Sequence, residues 1–168
     1  MIQTERLALR NLTFDDAPFI YELLNDPAWL EHIGDRGVKN LDDARAYIQN
    51  GPMKMLADTG FALQVVELEG VAIGLCGLLK RDYLECPDIG FAFLPKYRGQ
   101  GYAFEAALGV CRYAGETLNL PKILAICSPA NGASANLLIN LGFVNVGTLS
   151  LPDYGESLLW ERSLHDTL

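Results

Sequence analysis

Residues 91–103, Phe-Ala-Phe-Leu-Pro-Lys-Tyr-Arg-Gly-Gln-Gly-Tyr-Ala, constrain the fold more than any other stretch of this 168-residue chain. An apolar strand-like run enters a loop with two glycines. From Gly101 the apolar spacing becomes helical, with Phe104, Ala107, Leu108, Cys111, Ala114 and Leu118 on one stripe. The pattern predicts strand, tight loop and amphipathic helix in succession. Backbone N–H groups at a helix start have no intrahelical partner, and the helix dipole makes them a site for anions. Gly99 and Gly101 let backbone approach a phosphate closely, and Arg98 with Lys96 adds positive charge. Residues 98–103 are therefore the candidate phosphate loop.

Two common phosphate loops do not fit. A dinucleotide fingerprint needs a third glycine, and position 104 is Phe104. It also needs an acid about 20 residues further on, where Leu118 to Pro121 stand. A Walker A loop needs Gly-Lys-Ser/Thr, which is absent from the sequence.

The flanking segments supply the rest of the architecture. Residues 6–12 alternate apolar and polar and predict a strand. Thr13 and the acids Asp15 and Asp16 open a helix that ends by Pro27. Residues 29–39 read as a loop, and a second helix runs from Asn40 to Asn50-Gly51-Pro52. Residues 61–67 and 71–79 form a hairpin around Gly70, and 88–93 is the strand that enters the loop. Beyond the long helix come a strand at 122–127, a short helix at 134–141 stopped by Gly142, and strands at 143–149 and 157–162. This order predicts one domain over residues 1–168, of α/β (α+β) class, with helices packed on a mixed sheet.

Charge and composition remove several functions. With 13 basic and 21 acidic side chains the net charge is −8, and there is no basic run to displace nucleic-acid counterions. Cys76, Cys86, Cys111 and Cys127 form no C-x-x-C pair, and three lie in apolar segments, as reduced core thiols do. His32 and His165 have no ligand-like spacing, so neither a metal site nor a serine–histidine triad is expected. The N-terminus lacks the apolar core of a signal peptide, and the densest apolar run, residues 71–79, is broken by Gly74 and Gly77. A cytoplasmic protein without a membrane partner is the expectation.

Four ordered motifs carry a family resemblance. Arg98-x-x-Gly101-x-Ala103 resembles the Q/R-x-x-G-x-G/A signature of the GNAT superfamily of N-acetyltransferases. Asn131-x-x-Ser134 followed by Gly142-Phe143 resembles the second signature of that superfamily. Thr4-Glu-Arg-Leu-Ala-Leu-Arg10 with Asp16, and Asp88-Ile-Gly-Phe91, are similar to the Rim-type branch that acetylates protein N-termini. The one departure is Ile139-Asn140, where that branch commonly has Glu-Lys.

The resemblance implies a mostly antiparallel sheet of about seven strands and about four helices, with a splay beside the loop. It implies acetyl-CoA as the acetyl donor, no metal, and a monomer or homodimer. Its pyrophosphate would lie on the loop amides of Arg98, Gly99, Gln100, Gly101, Tyr102 and Ala103. Its pantetheine arm would pair with the backbone of Phe91 and Phe93, with Asn131 and Ser134 on the other side. The acceptor would be a primary amine: a protein N-terminus, or a small molecule such as a polyamine or aminoglycoside; a sensor that binds acyl-CoA without catalysis is the remaining alternative.

Chemistry asks for a base as well, because an amine is protonated at neutral pH and must lose that proton before attacking a thioester. Asp88 and Asp153 are the candidates, each also readable as a turn or surface acid. Ser134 is the candidate donor to the leaving thiol, and both Ser134 and Asn131 are also readable as helix-capping residues. Glu105 reads as a helix-dipole residue. Trp29 and Trp160 read as packing residues that could line a pocket.

Overall fold

The computed structural model describes residues 1–151 and 155–164. Eight strands form one sheet in the order β1-β2-β3-β4-β5-β6-β8-β7. They are β1 (Ile2–Gln3), β2 (Leu7–Arg10), β3 (Leu63–Leu68), β4 (Val71–Leu79), β5 (Asp88–Phe93), β6 (Lys122–Cys127), β7 (Val144–Leu151) and β8 (Gly155–Ser163). The expected seven become eight because Ile2 and Gln3 pair with Leu9 and Ala8.

Every neighbouring pair is antiparallel except β5 and β6. That parallel pair shares a single register position, Asp88 opposite Leu124. Beyond it the two strands part, which is the expected splay.

The helices are α1 (Ala17–Leu24), α2 (Pro27–His32), α3 (Leu41–Ile48), α4 (Lys54–Thr59), α5 (Tyr102–Glu116) and α6 (Gly132–Asn140). Two were not expected. Helix α2 occupies part of the supposed loop: Pro27 ends the previous segment but also stands at the first position of a new helix, where its missing N–H costs nothing. Asp26 caps it by accepting from the Ala28 amide at 3.1 Å. Nor does the helix from Asn40 stop at Pro52; a π-helical turn over Gln49–Met53 passes the buried ring and leads into α4. A wider turn avoids the clash that an α-turn would give between the proline ring and the preceding carbonyls. Gly60, at φ +85°, ends α4.

Two apolar clusters sandwich the sheet. On one face α5 and α6 pack through Ala106, Ala107, Val110, Cys111, Ala114 and Leu138 onto Val66, Ile73, Cys76, Ile89 and Phe93. On the other, α1, α2 and α3 cover Val65, Leu75 and Leu94 with Ile20, Leu23, Trp29, Ala44 and Ile48. The central strand β4 is buried on both faces. A Cβ on Gly74 would lie 2.6 Å from the Ala92 carbonyl oxygen and from the Phe93 ring, so glycine there lets β5 and its ring lie close. The sheet thus fixes β5, the strand that delivers the chain to the loop. Among the described residues no helix is long and apolar enough to cross a membrane.

Candidate active site

The splay opens into a cleft of about 1030 Å³ lined by residues from both halves of the chain. Its donor side is built from backbone. The Leu124 amide donates to the Pro87 carbonyl, and the Leu94 amide to the Ile73 carbonyl. Alternation along β5 therefore turns the backbone groups of Phe91 and the amide of Phe93 toward the splay. Their rings face the α5 side and belong to its core.

The loop follows a 3₁₀ turn at Pro95–Tyr97. Gly99 and Gly101 have φ of +75° and +84°, the left-handed region that glycine alone enters freely. The first bond of α5 runs from the Glu105 amide to the Gly101 carbonyl, 3.1 Å. Among the described residues, no amide from Gly99 to Phe104 donates to a backbone carbonyl. Amides without backbone acceptors are what an anion cradle needs, and Arg98 departs from the expectation: its own amide is taken by the Pro95 carbonyl.

The Arg98 side chain is also placed differently from expectation. Its Nε and Nη2 donate to the Phe93 carbonyl at 3.1 and 2.8 Å, and Nη2 meets Asp26 Oδ2 at 2.7 Å. Its guanidinium therefore ties the end of β5 to the N-cap of α2. The cation against the loop is Arg6, which donates to the Gln100 carbonyl and lies over the Tyr102 ring. Glu105 holds Arg6, and is thus more than a helix-dipole residue.

Side chains build the opposite wall. Asp88 opens β5, is 1% exposed, and receives Arg81 Nε on both oxygens at 3.0 and 3.2 Å. Burial pushes its carboxyl up to about 6, against the opposing pull of the Arg81 charge. Arg81 also donates to the Tyr83 hydroxyl. Trp29, Glu31 and His32 of α2 and Ile33 just after it line the cleft, together with Tyr47 and Met55. The Trp29 indole N–H is buried without a hydrogen-bond partner. Phe104, expected in the apolar stripe of α5, is instead 37% exposed and lines the cleft.

Across the splay, Asn131 caps α6 by accepting from the Ser134 amide at 3.1 Å, and both residues line the cleft. Capping and cleft lining coexist in Asn131. Cys127, read from the sequence as a core residue, also lines the cleft, and the Trp160 indole donates to its sulfur at 3.3 Å. Burial pushes its thiol pKa up. Asp153 lies outside the described residues. No group of three or more His, Cys, Asp or Glu that could hold a metal ion occurs among the described residues.

The family model of the acetyltransferase (GNAT) domain matches residues 6–144. The chain belongs to the GNAT acetyltransferase family. It is 31% identical over 147 residues to the uncharacterized N-acetyltransferase YnaD of Bacillus subtilis, covering 87% of this chain and 84% of that protein. It is 32% identical over 81 residues to the ribosomal protein uS5-alanine N-acetyltransferase of Escherichia coli, covering 48% of this chain and 41% of that enzyme. The crystal structure of a GNAT acetyltransferase from Bacillus anthracis superposes with a TM-score of 0.82 at 25% identity, covering 98% of this chain and 99% of that one. This GNAT enzyme is an N-acetyltransferase that uses acetyl-CoA.

The residues present fit that donor. A Cβ on Gly99 would meet nothing within 4 Å, so the loop is open there. The amides from Gly99 to Phe104 can donate to pyrophosphate oxygens, and the exposed edge of β5 can pair with an amide-bearing arm.

Proposed function

We propose that the acceptor is a protein N-terminal α-amine, with Asp88 taking its proton. The observation that carries this reading is the placement of Asp88: a carboxylate held by Arg81 in the cleft wall, whose pKa burial raises to about 6. Bound acetyl-CoA supplies an activated acetyl thioester. The loop amides hold its pyrophosphate, Phe91 and Phe93 pair with its arm, and Asn131 and Ser134 flank the arm from α6. The amine first gives its ammonium proton to the Asp88 carboxylate. Its nitrogen then attacks the carbonyl carbon directly, the carbon–sulfur bond breaks, and the proton that the nitrogen sheds on becoming an amide is relayed through the Ser134 hydroxyl to the departing thiolate.

Base strength separates the acceptors. An α-ammonium has a pKa of about 8 and a lysine about 10.4, so a base near 6 faces about two units of mismatch against more than four. Cleft charge points the same way. Among the described residues its lining carries three arginines, Arg36, Arg81 and Arg98, against three carboxylates, Asp26, Glu31 and Asp88. A polycation gains nothing from such a balanced wall. The uS5-alanine enzyme, whose name gives an alanine of a ribosomal protein as its substrate, supports a protein acceptor through its partial match.

An acceptor screen at pH 7 with thiol-release detection tests it, using N-terminal peptides, lysine peptides, spermidine and an aminoglycoside. Fastest turnover with free N-terminal peptides is expected. Faster turnover of a lysine peptide or of either small molecule would overturn the α-amine reading. Thiol release with none of them would point to an acyl-CoA sensor.

A further inference from the structure

The donor loop poses a physical problem that its own sequence does not solve. Two glycines with positive φ give it the required shape, and glycine is the residue that loses most conformational freedom on being ordered. A loop of this kind binds well only if something else holds it in the binding shape.

That support comes from the other end of the chain. Arg6 donates from Nη1 to the Gln100 carbonyl at 3.2 Å, and its guanidinium carbon lies 4.5 Å from the centre of the Tyr102 ring. Arg6 is also the group a Cβ on Gly101 would meet, with Nη2 3.3 Å away. The arginine is anchored by Glu105 in the first turn of α5: its Nε donates to Oε1 at 2.6 Å and its amide to Oε2 at 2.8 Å. The Thr4 hydroxyl donates to the same Oε2. Thr4 in turn is locked to Leu7, whose amide donates to the Thr4 hydroxyl at 3.1 Å. These contacts bridge about a hundred residues of sequence, and none of Thr4, Arg6 or Glu105 lines the cleft.

We propose that Arg6 is a positioning residue for the acetyl donor: with Glu105 and Thr4 it clamps the back of residues 100–102 and holds their amides in the shape that receives the pyrophosphate. The inference rests on the loop being the donor site. It assigns a physical role to the Thr4-Glu-Arg segment that neither its strand pattern nor its resemblance provides. Arginine is required by geometry. One planar group bonds Glu105, bonds a carbonyl and covers a ring at once, which the compact ammonium of lysine does not.

The test is calorimetric titration of coenzyme A into the whole enzyme and its Arg6→Gln, Arg6→Lys and Glu105→Gln variants, with steady-state kinetics alongside. Both Arg6 variants are expected to weaken coenzyme A binding about tenfold. The KM for acetyl-CoA rises in step, while kcat and the acceptor KM stay at wild-type values. A merely structural defect would instead lower the active fraction and the melting temperature without moving the donor KM. Glu105→Gln keeps the shape of the anchor and loses its charge, so it shows a smaller loss in the same parameter. It also carries the test if the Arg6 variants fold poorly. Unchanged coenzyme A affinity in Arg6→Gln, or full affinity in Arg6→Lys, would overturn the proposal. Gly101→Val separates this from failure of the donor-site reading, since wild-type binding by that variant would show that the loop is not the site.

Discussion

The two walls of the cleft are made from different materials. The proposed donor wall is backbone: the edge of β5, the glycine loop and the first amides of α5, contiguous over residues 91–104. The proposed acceptor wall is side chains from α2, the 3₁₀ and π-linked helices of residues 14–59 and the segment around Arg81. The ion pair of Arg98 with Asp26, 72 residues apart, joins it to the loop, whereas the Arg6–Glu105 pair, 99 residues apart, lies behind the loop and outside the cleft lining. A backbone site serves any acyl-CoA ligand of the same shape, whereas a side-chain site determines which amine is used. The donor half therefore depends on backbone shape, and the acceptor half on side-chain identity.

The change with the largest expected effect strikes the acceptor wall. Asp88→Asn keeps the size of the side chain and removes its proton affinity. A loss of about a hundredfold or more in kcat/KM at pH 7 is expected, the usual worth of a general base. The pH profile checks the sign. Asp88 must be ionised to accept a proton, so wild-type kcat/KM falls as pH drops through about 6. The variant lacks that acid limb, and its deficit shrinks at higher pH as more of the amine is already deprotonated. A limb retained near pH 6 in Asp88→Asn would assign the base to another group.

Gly101→Val is the matching test of the donor wall. At φ +84° a β-branched residue is strained, and its Cβ would crowd Arg6 at 3.3 Å. Strain and misplaced amides together are expected to weaken coenzyme A binding by about a hundredfold, read by calorimetry. The acceptor KM, extrapolated to saturating donor, should stay unchanged if the two walls are as separate as their construction indicates.

The same contrast explains what the sequence discloses. Strand, loop and α5 follow from local rules: alternation, then two glycines, then a helical stripe, with the cradle implied by helix termini in general. The splay was implied by family resemblance, and the structure shows its cause, one shared register position between β5 and β6. Helix α2 was hidden because Pro27 was read as an ending when it is also a beginning, with Asp26 as the overlooked cap. Helix α4 was hidden because Asn50-Gly51-Pro52 has the composition of a stop, and a π turn is a rare way through it. Arg98 was assigned to phosphate by proximity to the loop, yet its guanidinium is committed to Phe93 and Asp26. Nothing local announces such a pairing. Arg81, the partner that holds Asp88, is likewise unmarked by any local pattern, since only the fold brings the two together.

Asp26 sits where the two walls meet, so it sharpens the comparison at an intermediate scale. One oxygen, Oδ2, accepts both the Ala28 amide that starts α2 and Arg98 Nη2. Asparagine can still cap a helix, so Asp26→Asn spares α2 and removes the ion pair to the donor side. The expected result is a roughly fivefold rise in acceptor KM with little change in coenzyme A affinity, the scale of one charged hydrogen bond. An equal loss on both sides would mean that the walls act as one unit.

The smallest effect is expected at Cys127, and it tests the order of bond making. A thiol in the cleft would be the natural acceptor of an acetyl group if the reaction ran through an acyl-enzyme, and Cys127 is the cysteine that lines it. Its environment opposes that role. Burial raises its pKa, which keeps it as the thiol near neutral pH, although the Trp160 N–H directed at its sulfur pulls the other way. The nucleophile in such chemistry is the thiolate, and cysteines that serve it sit beside cations or helix N-termini that lower their pKa. Cys127→Ser should therefore retain kcat within about twofold, with a ternary-complex pattern of intersecting lines when donor and acceptor are both varied. Its Trp160 contact survives as a hydrogen bond to the hydroxyl, so stability should change little. A collapse of activity in this variant, or parallel lines in the wild type, would replace direct attack with a two-step transfer and make the end of β6, across the splay, the seat of the chemistry.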